Sequence, residues 1–392
     1  MRCHYFNPEN DLALAHGGGH YNPPASAVKL ATDLSLLPVW FAQNGELVLS
    51  RNVVPSDWHA DVFERLGISV EWTPFAERCR HQSEDDVLVP WGWNGALLNE
   101  WNKHAKRKIS VNVAILRELS HRRFSIEVLK CLGNNGLLPR SFGMPQELGS
   151  LQEIRQFIET SPHCVLKAPW SCSGKGLRWV NEERGGSLES WCSNVLARQG
   201  SVIGELVYGK VADFAMEFRS DGKRVSFAGY SYFSADGMGT YRGNYLMSND
   251  LIEEKLGESI GKTAFREVAR CLESFFACSV APYYEGYFGV DMMVVEDGTG
   301  RWIHPCVEVN LRMNMGVCAR IITDRYLSPS SVGEFVIWAN KSSDELAKIC
   351  SDYSRDYPLV IQEGRIRSGF LPLTFIGENA RYAATIHVKD AL

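Results

Sequence analysis

The sequence predicts a mixed chain, α/β at its start and α+β beyond, and three observations lead there. Up to about residue 110, short apolar runs alternate with helical patterns, the signature of a small α/β domain. Residues 202–232 then favour β structure, and a long amphipathic stretch at 251–277 precedes two more apolar runs. A length of 392 residues is too great for one compact core. The expected divisions are an N-terminal α/β domain over 1–112, a lobe with a Gly-rich loop over 113–203, and a C-terminal lobe with a β-rich tail over 204–392.

The elements follow in order. Residues 39–42 and 46–49 are apolar runs and read as strands, 57–66 as a helix, and 68–72 and 86–90 as strands. A helical pattern covers 111–138, with Ile126, Leu129 and Leu132 at i, i+3 spacing, until Gly136 and Pro139 stop it. Residues 151–158 form a second helix. A strand over 163–167, a loop of small residues and a strand over 177–180 come next. Asp221-Gly222 marks a hairpin turn, and the Gly-rich 236–244 reads as a mobile loop. Leu256, Ile260, Ala264, Val268, Leu272 and Phe275 fall on one face, so 251–277 reads as a single long packed helix. Strands over 290–295 and 302–309 meet at a turn around Asp297-Gly298, and 369–388 ends the chain in β structure.

Composition narrows the function. Hydrophobic residues at 45% and charged residues at 22% are the balance of an ordinary globular protein. A formal net charge of −5 argues against a nucleic-acid partner, which selects a basic face, so small molecules are expected. The 11 cysteines show no Cys-x-x-Cys and no zinc-finger spacing. Such unpatterned thiols fit a reducing cytoplasm, where they serve as small apolar groups. No apolar run follows Arg2, so no signal peptide is expected. No run approaches about 18 apolar residues, so no membrane span is expected either.

Two constellations carry chemistry. In Val165-Leu166-Lys167-Ala168-Pro169-Trp170-Ser171-Cys172-Ser173-Gly174-Lys175-Gly176-Leu177, a strand delivers a lysine and a loop of small residues returns to a second strand. Gly174 and Gly176 permit close backbone approach to a phosphate. Successive N–H groups converge there, with Ser171 and Ser173 as added donors and Lys167 and Lys175 as counter-charges. The lysine precedes the loop, so this is not a Walker A motif. A tight hairpin with a surface lysine is the plainer use of the same residues.

The second is Gly289-Val290-Asp291 on one strand and Glu308-Val309-Asn310-Leu311-Arg312 at the end of the next. Glu308 and Asn310 are two apart and leave a strand on one face. If the strands are antiparallel neighbours joined through 297–300, Asp291 falls near Glu308. Two carboxylates and an amide oxygen form the all-oxygen set that Mg²⁺ prefers. Arg312 has the fork to meet a phosphoryl group. Exposed acids and caps at strand ends are the alternative.

Together these residues resemble the ATP-grasp superfamily, which includes carboxylate–amine ligases such as D-alanine–D-alanine ligase and glutathione synthetase. The resemblance covers about 116–320 and implies an ATP-grasp fold behind a small pre-ATP-grasp-like α/β domain. It makes Lys167 with Ser171–Gly176 the phosphate loop, and Glu205-Leu206-Val207-Tyr208 the hinge segment against adenine. Asp213, with Glu217 as the second choice, meets the ribose; Asp291, Glu308 and Asn310 hold the metal. A basic residue on the α-phosphate corresponds to Arg122 or Arg123, with Arg123 taken for the site. Where several ligases of the family have arginine two residues before the metal aspartate, this chain has Gly289, and Leu311 stands where proline is frequent.

The implied activity is an ATP-dependent, ADP-forming ligase with Mg²⁺ or Mn²⁺, in which Lys167 and Arg312 act on the transferring group. A small-molecule carboxylate would be activated as an acyl phosphate for an amine or thiol. A small-molecule kinase and a catalytically silent nucleotide-binding protein remain as alternatives, and the oligomeric state is left open, a homodimer included. His16-Gly17-Gly18-Gly19-His20 reads as a flexible or substrate-facing loop in preference to a metal site, since three glycines disfavour a helix. The polar run from Tyr5 to Asp11 and Asn22-Pro23-Pro24 serve either the acceptor pocket or ordinary capping. Trp91 and Trp93 read as core in preference to a stacking platform. No Gly-x-Ser-x-Gly elbow is present to support a hydrolase.

Overall fold

Short helices and short strands alternate over the first hundred residues of the computed structural model: β1 (Arg2–Tyr5), α1 (Asn10–His16), α2 (Ala25–Asp33), β2 (Leu47–Ser50), α3 (Ala60–Leu66), β3 (Glu71–Pro74), α4 (Phe75–Arg80), β4 (Val87–Pro90) and α5 (Gly95–His104). The structure describes all residues except 172–175, 181–185, 236–240, 259, 299, 340 and 391–392. The four strands are parallel in the order β3-β2-β1-β4. The chain order reverses between β1 and β4, so the loops after these strands open the crevice where such sheets present functional groups. The strand expected at 39–42 is instead a 3₁₀ turn, Leu37–Trp40. Pro38 starts it, and all four residues are buried, so an apolar run alone could not tell strand from turn.

The helix expected over 111–138 is two helices, α6 (Val113–Leu119) and α7 (Arg123–Asn134). The break lets the Arg122 amide donate to Pro169 O at 3.2 Å. Next come β5 (Gln146–Leu148), α8 (Leu151–Thr160), β6 (Cys164–Lys167), β7 (Leu177–Trp179), α9 (Gly186–Gln199) and β8 (Val202–Leu206). These strands form an antiparallel sheet, β5-β8-β6-β7, packed on α8 and α9 through Ile154, Phe157, Leu166 and Val195.

The remaining elements are β9 (Lys210–Asp221), β10 (Val225–Ala235), β11 (Tyr241–Leu246), α10 (Asn249–Gly257), α11 (Lys262–Ser279), β12 (Glu285–Asp297), β13 (Gly300–Asn310), α12 (Met315–Tyr326), β14 (Ser331–Trp338), α13 (Ser343–Asp356), β15 (Val360–Gln362), β16 (Arg365–Pro372) and β17 (Ala383–Asp390). Among the described residues the strands build a nine-stranded sheet, β13-β12-β9-β10-β11-β14-β17-β16-β15. The expected turn at Asp221-Gly222 is present, with Gly222 at φ 85° and the Asp221 carboxylate accepting from the Lys223 and Arg224 amides. The single long helix is not. It divides into α10 and α11, and Gly261 at φ 89° turns the chain between them. Of the expected 236–244 loop, 241–244 belongs to β11, paired with β10 and β14, while 236–240 lie outside the described residues.

One face of β9 and β12 is apolar: Phe214, Met216, Phe218, Phe288, Val290 and Met292 pack with Phe124 of α7 and Phe265, Leu272 and Phe276 of α11. Alternation sends Asp213, Glu217 and Asp291 to the other face. The first module docks on the far side of that sheet, where Phe6, Trp40 and Trp91 share a core with Val317, Ile322, Phe335 and Ile386. Among the described residues, no helix is long and apolar enough to cross a membrane. Phe276 is fully buried against Phe124, Phe218 and Phe288. Phe276→Ala should therefore lower unfolding free energy by about 3–5 kcal/mol in urea titrations; a loss under about 1 kcal/mol would contradict this packing.

Candidate functional site

The β12–β13 ladder sets Asp291 directly opposite Glu308 and Gly289 opposite Asn310. Cross-strand partners share a face, so the two carboxylates and the amide converge as the spacing predicted. Burial, then the charges of Glu308 and Glu217, push the Asp291 carboxyl up to about 8, while a hydrogen bond from Asn310 opposes the rise. Arg122 stands over Glu308: its Nη2 donates to Glu308 Oε2 at 2.8 Å, and its Nη1 to Ala168 O at 2.5 Å and Ser171 Oγ at 2.8 Å. Its Nε is buried with no acceptor among the described residues. One guanidinium thus ties the acidic strand to the loop after β6.

Arg122, not Arg123, is the arginine in the cleft. The Arg123 guanidinium faces Glu118 at 3.7 Å and Glu147 at 3.5 Å, on the outside of α7. Side chains of neighbouring residues diverge at a helix start, and the sequence does not say which turns inward.

Across the cleft, Lys167 Nζ donates to Glu205 Oε2 at 2.5 Å, both side chains being buried. β6 and β8 pair so that Val165 faces Glu205 and Lys167 faces Ile203. Lysine and glutamate are therefore diagonal neighbours on one face. Leu206 is seated over Gly143, where an added Cβ would meet it at 2.3 Å. The Val207 amide donates to His163 O at 3.1 Å, so that N–H is already engaged. Tyr208 stacks on Phe142 at 6.0 Å and meets Trp302 edge-on at 5.1 Å, beside His304. Burial, then the Lys167 charge, hold the His304 imidazole down at about 3, so it is neutral. This aromatic group was not anticipated, because Phe142 and Trp302 come from separate segments.

Asp213 lies on the sheet face of Asp291 with Ala215 between them, and pairs with Lys210 at 2.6 Å. In the Gly-rich loop, Ser171 receives Arg122, and Gly176 closes the base: its carbonyl accepts from the Ala168 amide at 2.8 Å. A Cβ at Gly176 would overlap Ser171 at 2.3 Å. Ser173, Gly174 and Lys175 lie outside the described residues.

Arg312 is anchored before any substrate arrives. Its Nε donates to both Asp11 oxygens at 2.9 Å, and its Nη2 to Asp11 Oδ2 at 2.6 Å and Asn310 Oδ1 at 3.1 Å. Asp11 belongs to α1, so the first module reaches the acidic strand directly. Around it, Asn7 exchanges hydrogen bonds with the Gly92 backbone. Trp91 is core, against Phe6 and Phe41. α1 ends at His16 and Gly17, and α2 starts at Ala25 behind Pro24 with no side-chain cap, so Asn22 is not a cap.

Glu217 is a buried acid under α12. Its Oε1 accepts from Ser231 Oγ at 2.8 Å and its Oε2 from Asn314 Nδ2 at 2.9 Å. Burial pushes it up to about 7. A Cβ at Gly289 would meet Glu217 at 2.4 Å, and one at Gly316 would meet it at 2.2 Å. The glycine at 289 thus makes room for this acid.

Among the described residues no three His, Cys, Asp or Glu side chains form a ready metal cluster. The Asp291, Glu308 and Asn310 oxygens nevertheless suit a divalent ion that takes its other ligands from phosphates. The crowding that protonates Asp291 and draws Arg122 onto Glu308 marks a place wanting positive charge.

No protein-family model matches the sequence, and no curated protein does. Solved structures do resemble the chain. N5-carboxyaminoimidazole synthetase from Staphylococcus aureus, complexed with ADP, is 11% identical with TM-score 0.52, over 99% of this chain and 93% of that one. A biotin carboxylase β-γ-ATP complex from Campylobacter jejuni is 11% identical with TM-score 0.51, over 99% and 87%. N5-carboxyaminoimidazole ribonucleotide synthetase from Thermus thermophilus is 11% identical with TM-score 0.50, over 100% and 94%. At such identity the likeness is one of fold. The chain has the ATP-grasp fold along nearly its whole length.

The folded-state Glu217 carboxyl holds its proton up to about 7, against 4.5 ordinarily. Its contribution to stability is full below the unfolded value and is lost as pH rises through about 7. Glu217→Gln should therefore gain on the order of 3 kcal/mol over wild type between about pH 4 and pH 8. Parallel stability–pH curves for the two proteins would refute this.

Proposed function

We propose that this ATP-grasp chain is an ATP- and Mg²⁺- or Mn²⁺-dependent ligase that joins a small-molecule carboxylate to an amine or thiol. The observation that carries the reading is the convergence on one cleft of Lys167–Glu205, of Arg122 with Ser171 and Glu308, and of Asp291, Asn310 and Arg312. Phosphate chemistry needs little beyond positioning and charge, and these groups supply both. Asp291, Glu308 and Asn310 would hold a divalent ion, which would supply charge neutralisation to the phosphoryl chemistry.

The residues of the chain do the rest. Lys167, at a strand end and oriented by Glu205, faces a phosphate oxygen. Arg122 is preorganised for the same purpose by Ala168 and Ser171. Arg312, aligned by Asp11, meets the carboxylate being activated. One carboxylate oxygen attacks the γ-phosphorus and ADP departs. The amine nitrogen then attacks the acyl carbon, inorganic phosphate leaves, and the nitrogen gives up one proton. The ADP and the ATP complexed with structural neighbours support the nucleotide part of this reading.

Lys167→Ala and Glu308→Ala should each abolish carboxylate- and amine-dependent ADP release while leaving the circular dichroism spectrum intact. Screening amino acids and small carboxylates for release of ADP and phosphate tests the class. A phosphorylated product would show a kinase, and binding without turnover a silent protein. Wild-type turnover in either variant would remove the site assignment.

A further inference from the structure

A second hollow lies on the N-terminal side of the cleft. About 770 Å³ in volume, it runs between the end of α1, the Gly17–Gly19 strip, Gly95 at the start of α5, and one side of α6. That size suits a small organic ligand. Ala13, Leu14, Val113 and Ile115 give it an apolar wall, and Arg117 and Glu118 are its charged lining.

The strip is held in place. The Gly17 amide donates to Ala13 O at 3.1 Å with Gly17 at φ 73°, and Asn99 Nδ2 donates to Gly19 O at 2.9 Å. A Cβ at Gly17 would come within 3.3 Å of Arg117 Nε, so glycine there lets the strip lie against the guanidinium.

Arg117 is equally fixed. Its Nε donates to Leu14 O at 2.7 Å, its guanidinium lies 3.6 Å from the Trp170 ring centre, and Trp170 Nε1 donates back to Arg117 O at 3.0 Å. Among the described residues, Nη1 and Nη2 have no hydrogen-bond acceptor; Nη1 makes a long ion pair with Glu118 Oε1 at 3.8 Å, which leaves Nη2 open. A rigid cation with an open fork, beside an apolar wall, is built for a carboxylate carried on an apolar body.

The hollow adjoins the chemistry. α1 joins the two: Asp11, one turn before Leu14, holds Arg312, and Asp11 to Gly17 spans about 9 Å of helix. Trp170 precedes Ser171, which receives Arg122. We infer that this hollow binds the carboxylate of a small apolar acid on the Arg117 fork, as the acceptor-side subsite of the cleft. The word acceptor rests on the ligase reading above; the binding does not.

Equilibrium titration of the full-length protein with butanoate, hexanoate and phenylacetate, each beside its amide, tests the inference. Arg117→Gln removes the fork, and Ala114→Trp fills the mouth without touching the guanidinium. At least one acid should bind in the millimolar range, its amide at least about tenfold more weakly, and each variant should weaken the acid about tenfold or more. If Arg117→Gln fails to fold, Ala114→Trp carries the test. Absence of acid binding up to about 10 mM overturns the inference, as do equal binding of acid and amide or wild-type affinity in the folded variants. MgADP titrated into the same wild-type protein separates the two readings. Acid binding without MgADP binding leaves the hollow standing and removes the ligase; MgADP binding without acid binding does the reverse.

Discussion

Two carboxylates directly opposite one another on neighbouring strands repel, and the cleft is organised around that repulsion. Asp291 and Glu308 share a sheet face in a partly buried site. Like charges in that position destabilise a sheet, and desolvation adds to the cost. The chain offsets it in three ways. Asp291 takes a proton, Arg122 pairs with Glu308, and Arg312 lies beside Asn310. Each of these has structural consequences well beyond the pair.

Arg122 reaches Glu308 only because α6 and α7 are separate helices, and its other hydrogen bonds fix the loop that leaves β6. Arg312 carries a buried charge that needs a counter-ion, and Asp11 of the first module provides it. Burial pushes the Asp291 and Glu217 carboxyls up, and the two charged pairs beside them, Glu308 with Arg122 and Asp11 with Arg312, each offset a carboxylate with a guanidinium.

What was legible in the sequence follows from how local each feature is. The face shared by Asp291, Glu308 and Asn310 depends on strand alternation and one short turn, both readable from spacing. Lys167 beside a loop of small residues is equally local. The choice between Arg122 and Arg123 depends on where a helix begins, to within one residue, and spacing does not carry that. The break between α10 and α11 was masked by an apolar stripe that continues through Gly257 and Gly261. The Asp11–Arg312 pair joins residues 301 apart, so only the docking of the first module brings it about. The run at 37–40 shows the same limit in reverse: full burial made a turn look like a strand.

Gly289 is the departure from the ligase pattern with the most to say about substrate. The space an arginine would take there is filled by Glu217, with Asn314 and Ser231 completing its hydrogen bonds and Gly316 leaving room. A substituted arginine would have to displace a buried, satisfied network, so the absence of that cation is built into the core. The opposite wall of the cleft carries its cations differently. There Arg312 is aligned by Asp11, and Arg117 on α6 is held by Leu14 O and by the Trp170 ring. The sheet thus carries a buried acid where an arginine would need room, and a cation stands instead on the neighbouring helix, behind a strip of glycines.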